Sequence, residues 1–296
     1  DYNGAESTSG SRLSSFDSNG FTLTSDNGSN ASGGSYVGWC WKAGGAASLN
    51  EDGSLDSQVS VSTNYGFSFV TYTGNGSTAT VGHGLSSTPK WIVVKNRSAA
   101  ASWYVYHVGL SSGKALNLNN TEAEFTPGQA GITAVSDSTF SLGSERGETN
   151  ASSKNYVAYC WSEVSGFSKF GSFTGNGSQN FVPLDFRPAL VWVKRAVVNS
   201  SPDSDTSHSA WTIMDSKRLS YNGLTPNHLY INHDSGEGKR GDGSSTDSLA
   251  DMTLEPMSNG FYLNGPGTEV NANTGTYVYC AWAETPTFNL YGGQSN

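Results

Sequence analysis

Charge is scarce in this chain, at 14% of residues against roughly 25% in an ordinary soluble domain. The basic surfaces that hold phosphate backbones are therefore not expected, and a formal net charge of −9 argues further against nucleic acid as a partner. No stretch reaches about 18 consecutive apolar residues, so membrane insertion is not expected either. The opening residues Asp1-Tyr2-Asn3 have no basic n-region and no apolar h-region, which excludes a secretory signal within them. Three cysteines, an odd number, make a poor disulfide framework. Apolar runs at helical spacing are also lacking.

What remains is glycine (36 of 296 residues), Ser, Asn and Thr, with 12% aromatics to build a core. That mixture favours many short strands joined by turns. Eight N-x-[ST] sequons, at Asn27, Asn30, Asn75, Asn96, Asn119, Asn150, Asn176 and Asn199, follow from such a composition without glycosylation.

An internal repeat sets the architecture. Residues 16–45, 135–166 and 256–286 each give a short aromatic strand, a polar loop and then Tyr-Val-x-x-x-Trp. Tyr36, Tyr156 and Tyr277 recur at intervals of 120 and 121 residues, as do Trp41, Trp161 and Trp282. Regular self-similarity of this kind is the mark of a repeat protein. A second block occurs twice, at 67–77 and 167–178, each ending in Thr-Gly-Asn-Gly-Ser. Pro89 and Pro188 follow, each opening an apolar strand with a lysine (Lys95, Lys194) six residues on. Trp-centred strands begin at Trp103 and Trp211, and Leu/Asn runs at Leu116 and Leu229.

The expected organisation is the second half of a unit at 1–45, a linker at 46–64 with at most a weak strand at Val59–Val61, full units at 65–164 and 165–285, and a tail at 286–296. Even Asn3-Gly-Ala-Glu6 echoes Asn120-Thr-Glu-Ala-Glu124. The fold class is all-β, as tandem antiparallel β-sandwich (jelly-roll-like) units. Asn75-Gly76 and Asn176-Gly177 suit two-residue hairpin turns.

Side chains alternate between faces along a strand. Tyr36, Gly38 and Cys40 then share one face, with Val37, Trp39 and Trp41 on the other. Cys280 is shifted by one residue, and Ala281 fills the slot of Cys40 and Cys160. A position that accepts Ala is no metal or disulfide site, so three buried free thiols are expected, which suits a reducing cytoplasm.

No catalytic spacing is present, and no enzyme activity, cofactor or metal is expected. His83 reads as a turn residue, and His107 is replaced by Asp215 in the second unit. His208, His228 and His233 share a polar region with Asp203, Asp205 and Asp234, at no standard metal spacing. Arg240-Gly-Asp242 matches an integrin-type tripeptide, which its Gly/Ser-rich flanks explain better. The repeated tryptophans read as core. Recognition belongs where the units differ, in the insertion at 197–209 and the loop at 234–251. The candidates there are Asp203, Asp205, His208, His233, Asp234, Arg240 and Asp242.

Tyr72–Gly76, His83–Leu85, Pro89–Arg97, Trp103–His107, Asp17–Leu23 and Tyr36–Trp41 together resemble a domain found in tandem in virion proteins of tailed phages, particularly marine cyanophages. The second full unit departs from that pattern at Asp185-Phe-Arg187 and Asp215. The resemblance implies a structural role in a tail fibre, appendage or capsid-bound spike, located on the virion after synthesis in the host cytoplasm. It implies other virion proteins as partners, a homo-oligomer such as a trimer, and a host glycan or receptor as the target. It carries no catalytic residues. A carbohydrate-binding module and a bacterial surface filament or adhesin are the alternative readings.

Overall fold

The Tyr-Val-x-x-x-Trp strand of each complete unit lies inside its sheet, with a strand paired on both sides. The computed structural model describes residues 3–7, 12–25, 28–144, 146–197, 209–218, 228–233, 236–238 and 253–285. In the first full unit β12 (Asn155–Trp161) pairs antiparallel with β5 (Phe67–Thr73) on one side and β7 (Trp91–Asn96) on the other. Beyond β5 the sheet continues through β4 (Ser57–Ser62) to β3 (Ser48–Asn50). Beyond β7 it runs to β8 (Tyr104–His107) and β9 (Leu116–Asn117). A second sheet has the order β10 (Ile132–Val135), β11 (Thr139–Leu142), β6 (Ala79–Gly82). Val70, Ile92, Val94, Tyr156 and Ala158 from the large sheet share one core with Val81, Ile132, Phe140 and Leu142 from the small one.

The second full unit repeats the plan. Its main sheet is β13 (Ser168–Thr174), β20 (Thr276–Trp282), β15 (Leu190–Val197), β16 (Thr212–Asp215), β17 (Leu229–Tyr230). The small sheet is β14 (Asn180–Pro183), β19 (Gly260–Asn264), β18 (Thr253–Met257). The antiparallel all-β class expected from composition is what forms. Among the described residues the helical content is one 3-10 turn, Thr63–Tyr65, and no helix is long and apolar enough to cross a membrane.

The first segment keeps only part of this plan. The hairpin β1 (Leu13–Asp17) and β2 (Gly20–Leu23) corresponds to β10–β11 and β18–β19. Tyr36–Trp41, the counterpart of β12 and β20, forms no strand. The cause is the absence of neighbours among the described residues, since a strand needs adjacent backbone to take up its N–H and C=O groups. Phe140, Phe261, Tyr156 and Tyr277 are fully buried, whereas their counterparts Phe21 and Tyr36 are 42% and 50% exposed. One local contact survives: the hydroxyl of Tyr36 accepts the Ala31 N–H at 2.9 Å, as Tyr156 does for Ala151 and Tyr277 for Ala272, both at 2.8 Å.

Three expectations need correction. The Thr-Gly-Asn-Gly segments are not hairpin turns. β5 pairs with β4 and β12 while β6 pairs with β11, so the segment at 73–76 crosses from one sheet to the other. The segment at 174–177 crosses in the same way between β13 and β14. Gly76 and Gly177 take positive φ (74° and 67°), but the asparagines before them do not, as a type I′ turn would require. Each crossing is strapped by one buried asparagine. The Oδ1 of Asn150 accepts the Asn75 N–H at 3.0 Å, and its amide donates to Ser77 at 2.7 Å and Gly143 at 3.0 Å. Asn271 repeats the arrangement with Asn176, Ser178 and Gly265, at 3.2, 2.6 and 2.9 Å.

Second, the stretch 46–64 carries β3 and β4 and widens the first sheet. Ser57, Val59 and Ser60 alternate little in burial because both faces of β4 are partly covered. Third, Cys160 and Cys280 are buried free thiols, but Cys40 is exposed, because its strand has no neighbours to cover it among the described residues. The one-residue shift has the expected effect. Cys160 faces the core inside its unit, and Cys280 faces the opposite core, shared between units.

Candidate functional site

Strand alternation that sends Tyr156 and Tyr277 into the cores of their own units sends the paired tryptophans the other way. There they meet one another. Trp41, Trp161 and Trp282, one from each repeat, lie within 5.9, 5.5 and 6.4 Å of one another by ring centroid, a closed triangle. Trp91 stacks on Trp161 at 4.1 Å and meets Trp192 edge-on at 5.1 Å. Such packing joins the units through a large apolar payload with aromatic geometry worth about 0.5–1.5 kcal/mol per pair beyond burial. It has a cost. The indole N–H groups of Trp39, Trp91, Trp161, Trp192 and Trp282 find no acceptor among the described residues.

A second contact repeats from joint to joint. The Nζ of Lys95 donates to the carbonyls of Asn3 at 3.3 Å and Asn96 at 2.9 Å. The Nζ of Lys194 donates to Thr121, Glu122 and Arg195 at 3.3, 2.9 and 2.9 Å. Beside them the Glu6 N–H bonds Arg97 O at 3.0 Å, and the Glu124 N–H bonds Ala196 O at 2.8 Å. So the Asn…Glu strap of each repeat docks on the lysine strand of the next. The lysines, spaced alike from Pro89 and Pro188, showed in the sequence; that they bind a preceding repeat did not. Burial and the neighbouring Arg195 charge pull Lys194 down to about 7, and burial lowers Lys95 as well.

His107 and Trp211 complete the joint between the full units. His107 Nε2 lies 3.1 Å from the Tyr279 carbonyl, while Nδ1 accepts the Gly109 N–H at 3.0 Å. Burial pushes its pKa down to about 4. Trp211 Nε1 donates to Asn117 O at 3.0 Å. Asp215, in the place of His107, keeps half of this role, its Oδ1 accepting the Lys217 N–H at 3.1 Å.

A groove of about 530 Å³ opens where the first segment meets the other two. It is lined by residues 37–42, Tyr65, Phe167, Ala189, Leu190, Asp215–Arg218 and Trp282–Glu284. Asp215, Lys217, Arg218 and Glu284 are held in ion pairs, and the Lys42 ammonium sits 6.0 Å from the Tyr65 ring. Arg218 Nε donates to Asp215 at 2.6 Å, Arg218 Nη1 to Glu237 at 3.0 Å and Lys217 to Glu284 at 2.7 Å. The Arg218 guanidinium also sits 5.8 Å from the Trp39 ring. Apolar rings beside backbone polar groups suit a polypeptide or another amphipathic guest better than an ion.

Of the recognition candidates, Asp203, Asp205, His208, Asp234, Arg240 and Asp242 lie outside the described residues. His233 is half-buried, 6.3 Å from the Tyr230 ring, which also lies 4.9 Å from buried His228. His83 is buried just after β6: its Nδ1 accepts the Leu85 N–H at 3.1 Å, and burial lowers its pKa. No group of three or more His, Cys, Asp or Glu is placed to hold a metal among the described residues.

These features define an all-β repeat protein whose units join through shared tryptophans and lysine-held straps. The chain belongs to the DUF7483 family, described as a domain of unknown function, whose profile matches residues 1–286. The match takes in the incomplete first repeat as well as both full units. Neither the curated proteins nor the solved structures gave a match.

Proposed function

We propose that this chain is a structural, non-enzymatic part of a tailed-phage virion, in a fibre, appendage or capsid-bound spike that contributes to host attachment. The observation that carries the reading is the repeated joint, in which tryptophans and lysine-held straps link one unit to the next. A joint made twice with the same parts suits a protein that transmits position and load, and places variable loops on a fixed frame. The phage assignment itself rests on the motif resemblance from Tyr36–Trp41 through Trp103–His107. The insertion at 197–209 and the loop at 234–251 are the places for contact with a host glycan or receptor, since the sequences of the two units differ most there. Virion partners and self-association belong to the same reading.

The test is to purify particles from a host lysate on a density gradient and map their proteins by mass spectrometry and cryo-electron microscopy. Peptides of this chain co-migrating with particles, with density for the paired sheets at an appendage, support the reading. Recovery of the chain only in particle-free fractions, or as a filament on the cell surface, overturns it.

A further inference from the structure

Asn75-Gly76 and Asn176-Gly177 place the dipeptide most prone to deamidation at each sheet crossing. Glycine has no side chain to shield its nitrogen, which can attack the side chain of a preceding asparagine. At the first crossing the Gly76 nitrogen gives up its proton and bonds to Cγ of Asn75. The Cγ–Nδ2 bond breaks, ammonia leaves with the proton, and a succinimide closes. Water then opens that ring at either carbonyl. One product is aspartate. The other is isoaspartate, in which the main chain runs through the side-chain carbonyl and gains a methylene.

Burial does not prevent this chemistry, because Asn75 and Asn176 are exposed to solvent. Hydrogen bonds hold the reacting atoms instead. The Gly76 N–H donates to Asn150 O at 3.0 Å, and the Gly177 N–H to Asn271 O at 2.9 Å, so the attacking nitrogen is a bonded donor in both units. Its neighbours are fixed as well. The Gly74 N–H bonds Lys154 O at 2.8 Å, the Asn75 N–H bonds Oδ1 of Asn150 at 3.0 Å, and the Ser77 N–H bonds Oδ1 of Asn75 at 2.9 Å. The second unit repeats the series: Gly175 on Gly275 O at 2.8 Å, Asn176 on Asn271 Oδ1 at 3.2 Å, and Ser178 on Asn176 Oδ1 at 2.9 Å. A Cβ on Gly74 or Gly175 would collide with Ala151 O or Ala272 O, so neither segment has room to turn. The succinimide needs the side chain and the next peptide to turn toward each other, and these contacts forbid it.

We propose that Asn75 and Asn176 are latent deamidation sites, kept intact by the strapping asparagines, and that opening of a crossing converts its site to aspartate and isoaspartate. The extra methylene of isoaspartate moves Gly76 and Ser77 out of register with Asn150, so a crossing converted in that way is not remade. Protection is local, with Asn150 guarding Asn75 and Asn271 guarding Asn176.

The test follows aspartate and isoaspartate at the two sites in the full chain, by peptide mapping at neutral pH. In the parent chain both sites should convert at least tenfold more slowly in buffer than in guanidinium chloride. Asn150→Ala should speed conversion at Asn75 tenfold or more and leave Asn176 within twofold of the parent, with the mirror image in Asn271→Ala. A third measurement needs no variant. After long incubation in denaturant and refolding, chains with isoaspartate at 75 or 176 should be missing from the refolded fraction. Equal conversion in buffer and denaturant overturns the proposal. So does acceleration of both sites in each folded variant, or isoaspartate among refolded chains at its share before refolding. None of these results bears on virion location, so this inference and the preceding one fail separately.

Discussion

His107 of the first full unit lies with Nε2 3.1 Å from the main-chain oxygen of Tyr279 in the second, while its Nδ1 accepts the Gly109 N–H. Both contacts need the neutral imidazole with its proton on Nε2. The joint between the units is thereby tied to one protonation state.

Acid should loosen that joint. Burial holds the folded pKa at about 4, below the ordinary 6.5. Between those values the unfolded chain binds the extra proton, so stability falls as pH drops from about 6.5 and levels off below about 4. By pH 5 the loss is about 2 kcal/mol. Urea unfolding at pH 7.5 and pH 5 should show it. In His107→Asn the side-chain oxygen can serve the Gly109 N–H as Asp215 serves Lys217, and this part of the pH dependence should vanish. Equal slopes with pH for the two proteins would defeat the account.

Asn150 and Asn271 should be sensitive positions. Each is fully buried, and each strap supplies one acceptor and two donors to the sheet crossing. Asn150→Ala or Asn271→Ala leaves backbone groups unpaired, at about 2–4 kcal/mol. Among the described residues their counterpart Asn30 donates one exposed bond, to Thr24 O. Asn30→Ala should therefore cost less than about 1 kcal/mol. Chemical denaturation of the three variants checks the ranking, and equal losses would contradict it.

Removing the Lys194 ammonium should release the strap it holds. In Lys194→Met the carbonyls of Thr121 and Glu122 lose their donor. Hydrogen exchange at the Glu124 amide, which bonds Ala196 O, should accelerate while the amides of β12 stay protected. Uniform acceleration throughout the unit would show that Lys194 supports the whole fold and not the strap alone.

A glycine should improve the turn before each central strand. Ser153 and Thr274 hold φ of 61° and 63°, where Gly33 stands in the first repeat with φ of 78°. Positive φ is costly for a β-branched residue and free for glycine. Thr274→Gly should raise stability by about 1 kcal/mol, with Ser153→Gly gaining less. A melting temperature lower than that of the parent would disprove the reading.

Composition carried the all-β class, and strand periodicity the two faces of the Tyr-Val-x-x-x-Trp strand. Both are local matters, set by residue types and their alternation along the chain. The role of Asn75-Gly76 was not legible, because a two-residue turn and a sheet crossing share the same residues and differ only in where the next strand pairs. Cys40 looked like Cys160, and only the missing neighbours expose it. Trp161, Trp211 and Trp282 are buried core, as expected, whereas Trp41 and Trp103 are only partly buried against it, and no local pattern revealed a core shared by three repeats. His107 and Lys194 drew their roles from carbonyls 172 and 72 residues away in the chain, partners that no local pattern reveals. Periodicity in the sequence determined what each strand buries. Tertiary structure decided what buries it, because pairing and the joints between units depend on residues brought together only when the sheets close.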